Sequence, residues 1–282
     1  MAENTPFSRI FLVWLLGFPI WGNLWAQDYP WLDQPAAETL AQRFPAPEGY
    51  ARKAVAPHSF GDWLRGLPLK PGKPEVLLFN GNRKGNQRAH AAVVQMDVGG
   101  KDLQQCADAV IRLRAEYLYS QKQWDALVFH FTNGQPAVWL DWSRGMRPVL
   151  RGNDILWQQR AEAGSGYAVF RAYLETVFVY AGSASLSKEL KRVPEPSRIE
   201  IGDVFIQGGF PGHAVLVLDV AENASGQRVF LLGQSYMPAQ EFHVLKNPSV
   251  PDSAWYRSSD SGYLATPEWD FRYEDLKRFP AL

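Results

Sequence analysis

The last third of the chain constrains the fold most. Between positions 201 and 234 lie three apolar runs, Ile201-Gly-Asp-Val-Phe-Ile-Gln, His213-Ala-Val-Leu-Val-Leu-Asp-Val and Arg228-Val-Phe-Leu-Leu-Gly-Gln. They are separated only by Gly208-Gly209-Phe210-Pro211-Gly212 and by the turn residues Asn223 to Gly226. Such runs read as strands, and loops this short leave no room for a crossover helix, so an antiparallel meander is expected with the middle run buried.

Upstream, Glu75 to Phe79 and Ala91 to Val98 read as two strands joined by the polar turn that starts at Asn80. Asp102 precedes a segment in which Leu103, Cys106, Ala107, Val110, Tyr117 and Leu118 recur at helical spacing, with Leu113 or Arg114 filling the remaining position. This is the strongest helix signal in the chain, and Asp102 is its expected N-cap. Ala126 to Phe131 and Ala137 to Trp142 flank an Asn-Gly pair and predict a hairpin. Gly166 to Tyr180 is apolar nearly all round and predicts a deeply packed helix. The tail from Asn247, rich in Pro, Ser and Trp, is expected to lie over the sheet as a loop. The order of elements is an α+β plan.

The chain's beginning reads as an address. Ile10 to Trp21 is a short apolar run after a polar start carrying Arg9, the length of a signal-peptide core and too short for a membrane span. Cleavage after Ala26 is expected, although Leu24 is bulkier than usual for that site; the rival is an uncleaved amphipathic anchor. Three segments follow: a signal peptide at 1–26, an irregular arm at 27–73 with one short helix near Ala36 to Phe44, and a single α+β domain at 74–282. The expected location is outside the inner membrane, periplasmic or extracellular, with no integral span after cleavage, as a monomer.

Composition narrows the function classes. One cysteine in 282 residues excludes a disulfide scaffold. The 29 basic residues are matched by 29 acidic ones, which disfavours a nucleic-acid partner. Eleven Trp favour an aromatic core or an aromatic-lined cleft. Trp139, Trp142, Trp157, Trp255 and Trp269 suit either, with the core the commoner fate. His58, His90, His130 and His243 show no metal-ligand spacing, so neither a metal nor another cofactor is expected.

The single cysteine falls near the start of the strongest helix, where free amides and the helix dipole favour a thiolate. Its bland reading is a small core hydrophobe. A nucleophile needs a base. His213 opens a buried strand directly after a glycine-rich loop, which would hold its ring at the mouth of the sheet. A third group should orient that ring, and Gln234 ends the neighbouring strand, although Ser235 or Gln240 could serve. The rival reading of His213 is a satisfied histidine at a strand end.

A Cys at a helix start, Gly202-Asp-Val-Phe on one strand, Gly212-His213 leading an apolar strand and a polar residue on the next resemble the papain-like cell-wall peptidases and amidases of the NlpC and CHAP type. The resemblance is of order and context over roughly residues 102 to 240. It implies a papain-like core with the nucleophile-bearing helix packed on a small antiparallel sheet, with Cys106 attacking an amide carbonyl, His213 as base and Gln234 orienting it. The usual lead into the helix is replaced by Gln105-Cys106-Ala107, and the separation from Cys106 to His213 is longer than in compact members. Gln105 or Gln104 would join the Cys106 amide in holding the oxyanion. Gln105, Asp203 and Tyr236 are the expected substrate-binding residues.

A closer resemblance covers nearly the whole chain after the leader. Gly85-Asn86-Gln87, Asp102-Leu-Gln-Gln-Cys-Ala-Asp-Ala, Leu186-Ser-Lys-Glu-Leu, Gly202-Asp-Val-Phe-Ile-Gln-Gly-Gly, Gln234-Ser-Tyr-Met-Pro-Ala-Gln-Glu and Thr266-Pro-Glu-Trp look like the bacterial domain-of-unknown-function family 4846. That likeness implies no activity. The expected function is a secreted cysteine amidase or peptidase acting on peptidoglycan or another amide-bearing envelope substrate. The alternative is a non-catalytic envelope module of the same fold that binds a glycan or peptide, and a third reading is a periplasmic assembly factor.

Overall fold

The computed structural model of the chain describes residues 29–152 and 154–281 together with Met1. The expected signal peptide and its cleavage site lie outside the described residues. The helices are α1 Leu40–Arg43, α2 Phe60–Arg65, α3 Cys106–Ser120, α4 Trp139–Ser143, α5 Tyr167–Tyr180 and α6 Ser183–Glu189. The strands in the first two thirds are β1 Tyr50–Arg52, β2 His90–Val93, β3 Val128–His130, β4 Pro136–Val138, β5 Met146–Arg151, β6 Asp154–Gln159 and β7 Lys191–Arg192. Those in the last third are β8 Val204–Gln207, β9 His213–Asn223, β10 Arg228–Gln234, β11 His243–Leu245, β12 Trp255–Arg257, β13 Tyr263–Ala265, β14 Asp270–Arg272 and β15 Leu276–Arg278. Among the described residues, no helix is long and apolar enough to cross a membrane.

The meander β8–β9–β10 forms the centre of an antiparallel sheet ordered β2-β11-β10-β9-β8-β15-β7, with β1 paired to the far end of β9 and β12 to the near end of β10. Both faces of β9 are covered. Ala214, Leu216, Leu218 and Ala221 join the core beneath α3, while Val215, Val217 and Val220 join a second core that includes Phe271, Tyr273 and Leu276. Burial on both faces explains why this strand reads as a continuous apolar run, because successive side chains point to opposite sides and each side is apolar. The result is a mixed fold of a few helices and antiparallel sheets.

Several local expectations need correction. Asp102 does not cap α3: Gln105 occupies the N-cap position, and Asp102 accepts instead from the Ala239 amide at 2.6 Å and from Gln105 Nε2 at 3.0 Å. The first turn is closed from inside, with Asp108 accepting from the Gln105 amide at 3.1 Å. Glu75 to Phe79 forms no strand and makes only isolated bridges at Leu77 and Leu78, since the chain turns back on itself at once through residues 80–84. The second hairpin strand stops at Val138 and continues as α4. A helix puts Trp139 and Trp142 on one face, three residues apart, and both are buried, whereas a strand would have sent one of them into solvent. The strand expected from Ile201 begins only at Val204, after a turn in which Gly202 takes a φ of +90°. The tail is not a loop: it supplies β12, β13, β14 and β15, and β15 sits within the main sheet between β8 and β7.

The segment before residue 73 holds two short helices and a strand in sheet contact. Ser59 caps α2, accepting from the Asp62 amide at 3.2 Å. Trp63 is sealed there, with its ring centroid 5.0 Å from that of Tyr29. Arg52 and Arg65 both donate to the fully buried Asp219 of β9 at 2.7 Å, which anchors this segment to the sheet. Asp219 is tolerated inside because two guanidinium groups and the Val220 amide meet it.

Candidate functional site

Cys106 is the first residue of α3, and α3 packs against β9. Cys106 is 7% exposed, and the backbone amides of Ala107, Ala214 and Cys106 itself lie on the side of its sulfur where they favour the anion. Ala214 directly follows His213, so the fold carries the cysteine to the first residues of β9 across 107 positions of sequence.

The His213 ring is fully buried and lies among aromatic rings, with centroids 4.8 Å from Tyr236, 5.3 Å from Trp269 and 5.9 Å from Phe271. Its Nε2 is 2.9 Å from Gln234 Oε1. The surrounding partners settle where the proton sits. The Glu268 carboxylate can only accept, and Gln234 meets it at 2.7 Å through Nε2, so the Gln234 oxygen must face His213. His243 gives its Nδ1 proton to the Glu241 carbonyl at 2.9 Å, which leaves its own Nε2 to accept from Gln234 Nε2 at 3.4 Å. His213 therefore donates through Nε2, and the lone pair is on Nδ1. That Nδ1 is buried and, among the described residues, has no hydrogen-bond partner, the thiol included.

Glu268 is itself held by Lys84, which is 5% exposed and stands 5.6 Å from the centre of the Tyr236 ring. These two residues come from sequence 184 positions apart. Neither was legible as a site residue in the sequence. The one available signal was position: Lys84 immediately precedes the run Gly85-Asn86-Gln87, and Glu268 lies within Thr266-Pro-Glu-Trp.

Burial sets the protonation states. Desolvation pushes the Cys106 thiol up to about 11, and the carboxyl of Asp108 adds to the effect. Asp108 in turn is pushed up to about 8 by its own burial. Desolvation pulls His213 down to about 4, against the hydrogen bond that its Nε2 donates to Gln234. The expected thiolate at the helix start is therefore reversed in the resting chain, where thiol and imidazole are both neutral at pH 7. The helix amides do favour the anion, but the loss of water outweighs them.

The other expected site residues divide. Tyr236 is half-buried beside His213. Gln105 is half-buried and tied to Asp102. Gln104 points inward and accepts from Nη1 of the buried Arg112 at 2.6 Å, so it is taken up by the contacts of Arg112, which reach the exposed Asp97. Asp203 is not brought to the site. It lies at the opposite end of β8 from Gln207, which pairs with His213, and both of its oxygens accept from Arg278 at 2.6 and 2.8 Å. The Ser235 hydroxyl lies 3.0 Å from the Gln104 carbonyl oxygen and 2.8 Å from that of Gln240, which ties the start of α3 to the end of β10. Of the tryptophans, Trp139, Trp142 and Trp255 are core, while Trp269 stands against the His213 ring. Among the described residues no group of histidine, cysteine or carboxylate side chains could hold a metal ion.

Two loops flank the site. Gly208 to Gly212 leads into His213 and carries Phe210 at 99% exposure, and the loop after Gln234 carries Met237 at 38%. Gly212 leaves no space for a side chain: a Cβ there would stand 2.6 Å from the Gly209 carbonyl oxygen and 2.8 Å from that of Gln207.

A family model described as Domain of unknown function (4846) matches residues 40–278, and the chain belongs to that family. No curated protein and no solved structure matches it.

Proposed function

We propose that this member of the domain-of-unknown-function family 4846 is a cysteine hydrolase of the papain-like, NlpC and CHAP type. It would cleave amide bonds, with the peptide part of peptidoglycan as its substrate class and the space outside the inner membrane as its place of work. The observation that carries the reading is the relay Glu268–Gln234–His213, which presents an unpartnered Nδ1 lone pair on the residue next to Ala214, whose amide favours the anion of Cys106.

The chemistry follows from these groups. As Sγ of Cys106 adds to the carbonyl carbon, its proton moves to Nδ1 of His213. The Cys106 amide and one N–H of Gln105 face the oxyanion. Collapse breaks the C–N bond, and the Nδ1 proton leaves with the amine, giving a thioester on Cys106. Water then adds to that carbonyl, giving a proton to Nδ1. The C–S bond breaks, the acid departs and the proton returns to sulfur. Gln234 keeps Nε2 protonated throughout, so the lone pair always faces the reacting side.

Because both groups rest neutral, the proton must transfer in step with attack, which makes substrate binding a condition for nucleophile formation. The same closed, neutral thiol supports the second reading, a non-catalytic envelope module that binds a glycan or peptide. Incubating the protein with peptidoglycan stem peptides separates the two. Release of a free amine that is lost in both Cys106→Ala and His213→Gln supports the hydrolase. Saturable binding without release, unaffected by Cys106→Ala, supports the module.

A further inference from the structure

Just past the middle of α3, eight residues and so about 12 Å along the axis from Cys106, Arg114 stands in an unusual setting. Its side chain is 8% exposed, and among the described residues it has neither a hydrogen bond nor an ion pair. Its guanidinium lies 5.0 Å from the centre of the Phe60 ring, 5.2 Å from Phe279 and 5.5 Å from Tyr117. Ring faces offset part of the charge, but they offer no strong acceptor to five N–H donors. The group lines an open cleft of about 270 Å³ whose walls include Phe60, Tyr117, Ile201 and Phe279. At the rim Arg278 is neutralised by the two-pronged contact with Asp203, and its Nη1 makes no further hydrogen bond.

We propose that this cleft is a second binding site, separate from Cys106, for a monocarboxylate borne on an apolar or aromatic body, such as the free C-terminus of a hydrophobic peptide. A buried cation without a counter-charge is costly unless something supplies one. The planar fork of a guanidinium matches a carboxylate, and the cage of rings fixes that fork before any ligand arrives. With Arg278 cancelled by Asp203 one positive charge is left over, which suits a monoanion better than a phosphate dianion. The apolar walls ask for a hydrophobic body behind the charge. Desolvation lowers the pKa of Arg114, as expected of a guanidinium packed among rings without a counter-charge.

The test is calorimetric titration of the whole chain at pH 7 with N-acetyl-phenylalanine, its amide and inorganic phosphate. The proposal expects saturable one-to-one binding of the acid, with the amide and phosphate weaker by roughly 10- to 100-fold, the range of a charge-assisted hydrogen-bonded contact. Arg114→Met should lose the acid by the same factor while the empty protein is at least as resistant to denaturant as the wild type. A merely structural cation would instead destabilise the protein on removal. Should that variant fail to fold, Arg114→Lys, which keeps the charge without the fork, must still bind the acid more weakly. Equal binding of acid and amide, no binding of the acid, or full binding by Arg114→Met or Arg114→Lys would overturn the proposal. None of these outcomes depends on amide hydrolysis.

Discussion

Gln234 faces Glu268 through its amide nitrogen at 2.7 Å, and this single contact fixes which end of the glutamine the histidine beside it can see. A carboxylate thus determines the tautomer of an imidazole it does not touch. Replacing Glu268 by Gln removes that polarity and leaves Lys84, 5% exposed, as a buried cation without its counter-charge. The expected loss is about 3 kcal/mol in chemical denaturation, as for other broken buried pairs. Lys84→Met in the Glu268→Gln background should recover part of it; no recovery would mean that the pair is not what the stability rests on.

Gln234→Leu strands the Nε2 proton of His213 and takes one donor from the Glu268 carboxylate, which keeps Lys84. About 2 kcal/mol of stability should be lost, since each buried group left without its partner carries a desolvation penalty. If the proposed hydrolase reading holds, the turnover rate falls by roughly 100-fold with little change in KM, because the glutamine orients the base and does not touch substrate.

The thiol of Cys106 should react slowly with iodoacetamide at neutral pH, with an apparent pKa of about 11 in the resting protein. Asp108→Asn removes a carboxyl that raises this value, so the alkylation curve should move to lower pH. The difference should appear mainly above pH 8, where Asp108 itself becomes charged. A wild-type curve centred below about 8.5, the ordinary thiol value, would contradict the burial seen here.

His213 is held down to about 4 and His243 to about 3, both by burial, against an ordinary value of 6.5. The unfolded chain therefore binds protons below pH 6.5 that the folded chain refuses until lower pH. Stability contributed by each ring is complete above 6.5 and is lost as pH falls from 6.5 towards the folded value, by roughly 3 kcal/mol for His213 and roughly 5 kcal/mol for His243. Asp108 works the other way, being protonated in the native state up to about 8. The clean readout is a difference: His213→Gln should flatten the acid limb of the stability curve relative to wild type when urea midpoints are compared between pH 7 and pH 4.

Gly212→Ala should perturb the site without touching its chemistry. The new methyl would meet two backbone oxygens at 2.6 and 2.8 Å as well as Ser183 Oγ at 2.4 Å. Backbone cannot swing aside as a side chain can, so about 2 kcal/mol is expected, with altered His213 ring resonances in NMR spectra.

How much of this could be read from the sequence depends on the distance over which each feature is decided. The meander β8 to β10 and the helices α3 and α5 were legible because their apolar runs are long and their boundaries are marked by turn residues. Their order led to Cys106, His213 and Gln234. The strands β12 to β15 were not legible, because three-residue strands bury one or two side chains each and leave no period to detect. Asp102 looked like a cap by local rules, yet the Ala239 amide, from a distant loop, claims its carboxylate. The resting thiol misled for a related reason: a helix start is visible in sequence, whereas the protein wrapped over it is not.

The contact between Lys84 and Glu268 also bears on how the protein is made. A ribosome delivers Lys84, Cys106, His213 and Gln234 in that order, and for most of synthesis the histidine has no fixed tautomer because the carboxylate that settles it comes near the end. The chain is thus born without a finished site and completes it only on closing its tail over the sheet, so that a protein cut short before residue 268 would keep its cysteine, histidine and glutamine and still lack the order among them.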